Sequence, residues 1–341
     1  MTKNGNIVIL SIDGGGLRGI IPVKILQFIK KIVEDNNGNA RIENMFDFVS
    51  GTSTGGLIAC ALTVGENGKL KYGLDDIENV YVEDGPTIFP IRTGINRFLH
   101  NLTDLWEPEF KADGLEGVLK KLLGESRILD CLLPIPIPTY DIYGNQTIFF
   151  NQSTASDRTQ NANAFLFDVC RATSAGPTYL PPHDFIYGDS RITCIDGGTF
   201  MNNPAVGMLV HAHECRDFYK EKYGYDIKED YSNVYLLSLG TGHYTDSITD
   251  QESVKWGQYQ WIQHLIDIMM QGASRTVDHE VPEIIGDDHY LRLNVKIKNA
   301  VESDMADART GTRHDLVELT NLMLADSEKD ITTFLKAAGL I

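Results

Sequence analysis

The start of the chain alternates between short apolar segments and glycine-rich turns, and this alternation constrains the fold more than any other feature. The apolar run Ile7–Ile12 ends in a turn with four glycines and is followed by an amphipathic helical pattern over about residues 20–34. A second apolar run, MFDFVSG, ends in TSTGG and precedes another helical segment, residues 57–64. Strands that alternate with helices pair in parallel beneath those helices. The sequence therefore predicts a three-layer α/β/α fold with a mostly parallel central sheet.

Four predicted strands end in glycine-containing turns, which begin at Gly14, Thr52, Gly197 and Gly240. In open α/β sheets, ligands bind outside the carboxyl ends of the strands. We therefore expect these four turns to line one crevice. The segments PIPIPTYDIY and TIFFNQ also have strand character, but prolines at 134, 136 and 138 predict an edge position at most.

Composition limits the function classes. The chain has 341 residues, is 42% hydrophobic and carries a formal charge of −17. We expect a single domain over residues 1–341, with a motif-bearing core at about residues 5–245 and C-terminal helices packed on it. The acidic charge argues against nucleic-acid binding, which depends on lysine and arginine. Neither a signal peptide nor an 18-residue apolar run is apparent, which predicts a cytoplasmic protein.

The segment GTSTGG contains the pattern G-x-S-x-G, centred on Ser53 with Gly51 and Gly55 on either side. A serine at a sharp strand-to-helix turn has a strained backbone, and side chains two residues before and after it would collide with the turn. The following helix N-terminus favours negative charge beside the serine. We interpret Ser53 as a nucleophile, although a glycine-rich turn with an incidental serine has the same pattern.

A serine nucleophile requires a base. Among the nine histidines only His243 follows a strand-end glycine turn. Asp196 is better placed, because it ends the predicted strand ITCID and precedes Gly197 and Gly198. The alternative for Asp196 is an Asp-Gly turn residue without a chemical role. The alternative base is His243, as part of a triad.

The first glycine turn, DGGGLRG, has two interpretations. Gly14 to Gly19 fit G-x-G-x-x-G, the dinucleotide-binding pattern, but the second strand lacks the acidic residue that would bind a ribose. If Ser53 attacks an ester, an oxyanion forms and requires converging N–H donors. A glycine backbone provides such donors without side chains in the way, which favours the second interpretation.

The three motifs together resemble those of the patatins, plant lipid acyl hydrolases related in fold to cytosolic phospholipase A2. DGGGLRG at 13–19, GTSTGG at 51–56 and DGG at 196–198 match the family patterns D-G-G-G-x-[RK]-G, G-x-S-x-G and D-G-[GA] in order. The resemblance implies that Ser53 is the nucleophile and Asp196 its partner in a Ser-Asp dyad. It further implies an oxyanion hole at Gly14, Gly15 and Gly16. The supporting motif residues are Asp13, Arg18, Gly19, Gly51, Gly55, Gly197 and Gly198.

What the resemblance implies for function is hydrolysis of acyl esters in phospho- or glycolipids, without metal or organic cofactor and with transient contact to a membrane surface. An acyltransferase using the same site and a storage or binding protein with residual esterase activity are the alternatives.

Arg18 has two possible roles, pairing with a carboxylate or holding a phosphate head group, and we favour the first. Trp261, Leu265, Ile268 and Met269 recur at helical spacing. We expect this stripe to belong to the core, with lipid contact as the alternative.

Overall fold

The computed structural model describes residues 5–90, 108–157, 161–244, 253–297 and 304–341. The strands in these ranges are, in chain order, β1 (Ile7–Ile12), β2 (Phe48–Gly51), β3 (Gly65–Glu66), β4 (Lys69–Leu70), β5 (Ile137–Asp141), β6 (Gln146–Phe150), β7 (His183–Tyr187), β8 (Ser190–Asp196), β9 (Val234–Leu239), β10 (His243–Tyr244), β11 (Tyr290–Leu293) and β12 (Lys296–Ile297).

The α-helices in the same ranges are α1 (Ile20–Asp35), α2 (Ile42–Met45), α3 (Thr54–Thr63), α4 (Leu74–Val82), α5 (Gly85–Ile88), α6 (Asp113–Leu123), α7 (Gln152–Ser156), α8 (Leu166–Thr173), α9 (Ala205–Glu214), α10 (Arg216–Tyr223), α11 (Gln258–Ile285) and α12 (Thr310–Ala337). Short 3₁₀ turns follow β1 and β8, at Gly16–Gly19 and Gly197–Thr199.

The central sheet has the order β11-β9-β1-β2, and all its strand pairs are parallel. Ile12, the last residue of β1, lies opposite Gly51 on one side and Leu239 on the other. The carboxyl ends of these strands therefore meet at one edge of the sheet, as the sequence predicts, and the turns that follow them converge there. The mixed α/β fold with a mostly parallel central sheet is confirmed.

Residues of β1 alternate between two separate hydrophobic clusters. Val8, Leu10 and Ile12 pack into the larger cluster, which includes residues of α1, α3 and α12. Ile7 and Ile9 pack into the smaller cluster, which includes residues of α9, α10 and α11. Since successive side chains of a strand point to opposite faces, helices cover both faces of the sheet. This arrangement is the three-layer order that the sequence predicts.

A second sheet, in the order β6-β5-β8-β7, is antiparallel throughout and adjoins the first. The amide of Val49 in β2 donates to the carbonyl oxygen of Pro134, in the segment before β5. The predicted edge position of the proline strand is wrong, because β5 lies between β6 and β8. Pro138 is tolerated because it pairs only with Phe149 of β6, whereas pairing with β8 begins at Thr139.

The predicted core position of the apolar stripe on α11 is also wrong. Trp261, Leu265, Ile268 and Met269 are 42 to 47% exposed, whereas Val281, near the end of the same helix, is fully buried. The helix is thus anchored by its C-terminal half and exposes apolar side chains along its N-terminal half. None of the described helices combines the length and apolar character needed to cross a membrane.

Candidate active site

Ser53 lies at the junction of β2 and α3 in a strained backbone conformation, with φ of 54° and ψ of −121°. The turn is so tight that a Cβ atom on Gly51 would lie 2.0 Å from the carbonyl oxygen of Gly55, and one on Gly55 would lie 2.3 Å from that of Ile12. The Thr173 hydroxyl accepts a hydrogen bond from the Ser53 amide at 3.0 Å. Such strain persists where the surroundings enforce it and is frequent at functional sites.

Asp196 is the last residue of β8 and lines the same cavity as Ser53. Its Oδ1 accepts a hydrogen bond from the Gly198 amide at 2.7 Å, and its own amide donates to the Ala175 carbonyl oxygen at 3.0 Å. Burial raises the pKa of Asp196 to about 6, although the hydrogen bond from the Gly198 amide and the nearby Ser53 hydroxyl lower it. A carboxylate with a pKa close to neutrality beside a serine is suited to proton transfer.

The glycine turn after β1 approaches the same place, but its three amides are not equivalent. The Gly14 amide already donates to the Asn202 carbonyl oxygen at 3.1 Å, so it is engaged within the fold. The sequence expectation that Gly14 shares the oxyanion hole stays a prediction, and this hydrogen bond makes Gly14 the least available of the three donors. For Gly15 and Gly16, the described part of the chain contains no hydrogen-bond acceptor for the amides. Gly16 has φ of 58°, and a Cβ atom there would lie 2.3 Å from the Met305 carbonyl oxygen.

Asp13 holds the start of this turn through a buried ion pair that the sequence analysis missed. Its Oδ1 and Oδ2 lie 2.9 and 2.6 Å from the two terminal nitrogens of Arg292 in β11. Burial lowers the pKa of Arg292, but the carboxylates of Asp13 and Asp278 outweigh burial and raise it. A charged residue within the otherwise apolar strand YLRL was the available sequence signal for this contact.

Arg292→Lys should lower the free energy of unfolding by about 1 to 2 kcal/mol, because lysine keeps the charge but loses the planar fork that contacts both Asp13 oxygens. Urea unfolding measures this change. Arg191→Lys is the matched control, because its pair with Asp184 is exposed and screened by solvent, so this substitution should change stability far less. Equal losses in both variants would contradict a special role for the buried pair.

Ser53 and Asp196 open into a cavity of about 270 Å³. Gly15, Gly16 and Gly198 also line it, which places the candidate nucleophile, base and oxyanion donors around one space. Its remaining wall is mostly apolar and includes Phe89, Leu180, Ile266, Met269, Met270 and Met305. An apolar pocket with a few convergent polar groups is the usual form of a ligand site.

No described histidine lines this cavity, and His100 lies outside the described residues. His243 instead lines a second, more polar cavity of about 930 Å³ that adjoins the first at Met270 and Met305. Arg18 lines the second cavity too; burial lowers its pKa, and the charge of Asp267 opposes that shift. Proximity to this carboxylate favours the predicted structural role of Arg18.

The remaining motif glycines support the turns. Gly19 ends the 3₁₀ turn after β1 and packs against Thr54 and Tyr81, and Gly197 begins the turn after Asp196.

The described residues contain one group of three side chains spaced to bind a metal ion, His314, Asp315 and Glu318. All three are exposed on α12 and do not line the Ser53 cavity.

These features define an α/β protein with a serine-centred candidate active site. Residues 10–209 match the family model described as patatin-like phospholipase. The chain therefore belongs to the patatin-like phospholipase family, a family of hydrolases, and the resemblance noted from the three motifs is confirmed.

Relatives match over most of the chain. Patatin-like protein 1 of Oryza sativa subsp. indica is 33% identical, over 93% of this chain and 80% of the relative. Patatin-12 of Solanum tuberosum is 32% identical, over 93% of this chain and 84% of the relative. Among solved structures, VipD from Legionella pneumophila matches with a TM-score of 0.41 and 11% identity, over 93% of this chain and 67% of that chain.

Proposed function

We propose that this protein hydrolyses acyl esters of membrane phospho- or glycolipids through an acyl-Ser53 intermediate, with Asp196 as the base. One observation carries the proposal: Ser53 occupies a strained turn against a carboxylate whose pKa burial raises to about 6. The apolar cavity beside this pair and the name of the family support a lipid acyl group as the substrate.

In the acylation step, the Asp196 carboxylate accepts the hydroxyl proton of Ser53 as Oγ attacks the ester carbonyl carbon. The carbonyl oxygen becomes an oxyanion, and the amides of Gly15 and Gly16 donate hydrogen bonds to it. When the intermediate collapses, the ester C–O bond breaks and Asp196 returns the proton to the departing alcohol. The acyl group remains on Ser53.

In the deacylation step, a water molecule attacks the acyl carbon and gives its proton to Asp196. A second oxyanion forms at the same two amides, and the bond to Ser53 Oγ then breaks. Asp196 returns the proton to Ser53, which restores the enzyme and releases a fatty acid. Each role that the chemistry requires is therefore assigned to a group lining the cavity.

The pH dependence of kcat/KM should show an ascending limb with a midpoint near the Asp196 pKa of about 6. Protonated Asp196 cannot accept the serine proton, so the rate should fall about tenfold for each pH unit below this midpoint. Initial rates with a soluble short-chain ester measure the profile without membrane effects. A flat profile through this pH would contradict Asp196 as the base.

The overall function is tested by incubating the purified protein with mixed membrane lipids and analysing the products by mass spectrometry. The proposal predicts free fatty acids together with lysolipids or deacylated glycolipids, and no such products with Ser53→Ala. Acyl chains that move only onto other lipids, with no free fatty acid, would identify an acyltransferase. A folded protein that releases no fatty acid from any lipid would refute the hydrolase proposal.

A further inference from the structure

Exposed apolar side chains are concentrated on one short part of the surface. Twelve large apolar side chains are exposed among the described residues, and five of them lie within residues 254–269. Four of the five form the α11 stripe, which consists of Trp261, Leu265, Ile268 and Met269. Scattered exposed apolar residues are ordinary, but a contiguous group of this kind marks a contact surface.

The α11 stripe continues into the wall of the Ser53 cavity. Successive helical residues are about 100° apart, so the four side chains of the stripe cover an arc of about 100°. Met269 belongs both to the stripe and to the cavity lining, and Ile266 and Met270 on the adjacent face of the helix also line the cavity. One apolar surface thus runs from the outside of the protein to the candidate nucleophile.

The Trp261 side chain is held in place by its neighbour. The rings of Trp256 and Trp261 meet edge to face, with their centroids 5.1 Å apart, and Trp256 stacks on His264 at 4.1 Å. Tryptophan favours the boundary between water and lipid, because its ring is large and apolar whereas its N–H remains polar. A supported, half-exposed tryptophan beside Leu265 and Ile268 matches the apolar face of an interfacial helix.

We propose that the α11 stripe docks on the surface of a bilayer of neutral, zwitterionic lipid and delivers one acyl chain from it to Ser53. This inference rests on the proposed function. The cavity of about 270 Å³ is smaller than the usual ligand pocket of roughly 300 to 1,000 Å³. It accommodates part of one chain, and the rest of the lipid must lie outside the cavity mouth, beside the stripe.

Charge selects neutral lipid over anionic lipid. The chain has 30 lysines and arginines against 47 aspartates and glutamates, for a formal charge of −17. A negatively charged bilayer attracts basic segments and repels a protein of this charge. Apolar insertion therefore has to provide the binding energy, which agrees with a stripe composed of large apolar side chains.

A second copy of this chain is a less suitable occupant of the stripe. Met269 lines the cavity and is also 46% exposed, so a partner packed along the stripe would cover the cavity wall that reaches the surface there. A lipid surface uses the same contact to supply substrate. A dimer that forms through the stripe while vesicle binding does not depend on the stripe would contradict the proposal.

The experiment compares vesicle binding by two double variants in the Ser53→Ala background, so that lipid is not consumed. Leu265→Gln with Ile268→Gln removes apolar surface from the stripe. Ile186→Gln with Leu322→Gln makes the same two substitutions at exposed positions on β7 and α12, where each side chain is 66% exposed. Cosedimentation of the full-length protein with phosphatidylcholine vesicles gives the partition coefficient.

The stripe variant should bind phosphatidylcholine vesicles roughly 10- to 100-fold more weakly than its parent, and the control variant should match the parent. Enriching the vesicles in phosphatidylglycerol should weaken binding by the parent. With Ser53 restored, the stripe variant should hydrolyse a soluble short-chain ester at a rate within about twofold of wild type, because neither substituted side chain lines the Ser53 cavity.

Equal binding by the stripe and control variants would overturn the proposal, as would binding that requires phosphatidylglycerol. The proposal would also be overturned if sedimentation velocity showed a wild-type dimer and the stripe substitutions dissociated this dimer without changing vesicle binding. Vesicle binding is measured in the Ser53→Ala background, without turnover. If vesicle binding depends on the stripe but the wild-type protein releases no fatty acid, the proposed function is refuted and the docking surface is still supported.

Discussion

Replacing Ser53 by alanine is expected to lower the release of fatty acid from lipid esters by a factor on the order of 10⁴ or more. The substitution removes the only hydroxyl of the strained β2–α3 turn that faces Asp196, and no acyl-enzyme can form without it. Labelling by a fluorophosphonate should disappear in the same variant. Initial rates at saturating substrate, with circular dichroism to verify folding, measure the effect.

Ser174→Ala is the matched control, since Ser174 also lines the cavity but does not occupy the strand-to-helix turn. This variant should keep more than about a tenth of wild-type turnover and should still be labelled. If Ser174→Ala lost activity and labelling while Ser53→Ala kept them, the assignment of the nucleophile would be wrong.

Asp196→Asn is expected to lower turnover by a factor on the order of 10² or more, the usual contribution of a positioned base. Asparagine has nearly the same shape and still accepts the hydrogen bond from the Gly198 amide, but it cannot accept the serine proton. Asp267→Asn is the matched control, because desolvation raises the pKa of Asp267 too, although this residue is exposed and does not line the Ser53 cavity. Near-normal turnover in Asp196→Asn would refute the dyad.

The same substitution should stabilise the fold. Burial raises the pKa of Asp196 from 3.8 to about 6. The folded state therefore binds this proton more tightly than the unfolded state does. The resulting stabilisation is complete below pH 3.8 and is lost as the pH rises through about 6. Above that pH, Asp196→Asn should raise the free energy of unfolding by an amount on the order of 1 to 3 kcal/mol. Urea unfolding at alkaline and acidic pH measures the difference, and a destabilised variant at alkaline pH would contradict it.

Much of the central sheet could be predicted from sequence, because parallel strands covered on both faces are read as continuous apolar runs. Ile7–Ile12 is found with the predicted bounds. The pattern G-x-S-x-G requires glycine on both sides of the turn for steric reasons. The structure confirms this requirement, because the backbone approaches Gly51 and Gly55 too closely for a Cβ atom. In local patterns of this kind, steric contacts between neighbouring residues determine the backbone conformation, so the conformation can be predicted from sequence.

Features that depend on distant contacts could not be predicted in this way. Glycine spacing does not reveal that the Gly14 amide is occupied by the Asn202 carbonyl oxygen, nearly two hundred residues further along the chain. The helical spacing of Leu265 and Ile268 identifies an apolar face but does not say whether that face meets the core or the solvent. Pro138 is tolerated in an internal strand because pairing between β5 and β8 begins one residue later, at Thr139. Each of these outcomes is decided by tertiary structure.

The most direct test is to titrate the purified protein with a fluorophosphonate, map the modified peptide by mass spectrometry and assay the remaining release of fatty acid from membrane lipid. Acylation at Ser53 predicts one adduct per chain, located on Ser53, with activity lost in proportion to labelling. Full lipid hydrolysis by the labelled protein, or an adduct on another residue that accompanies the loss of activity, would contradict catalysis through Ser53.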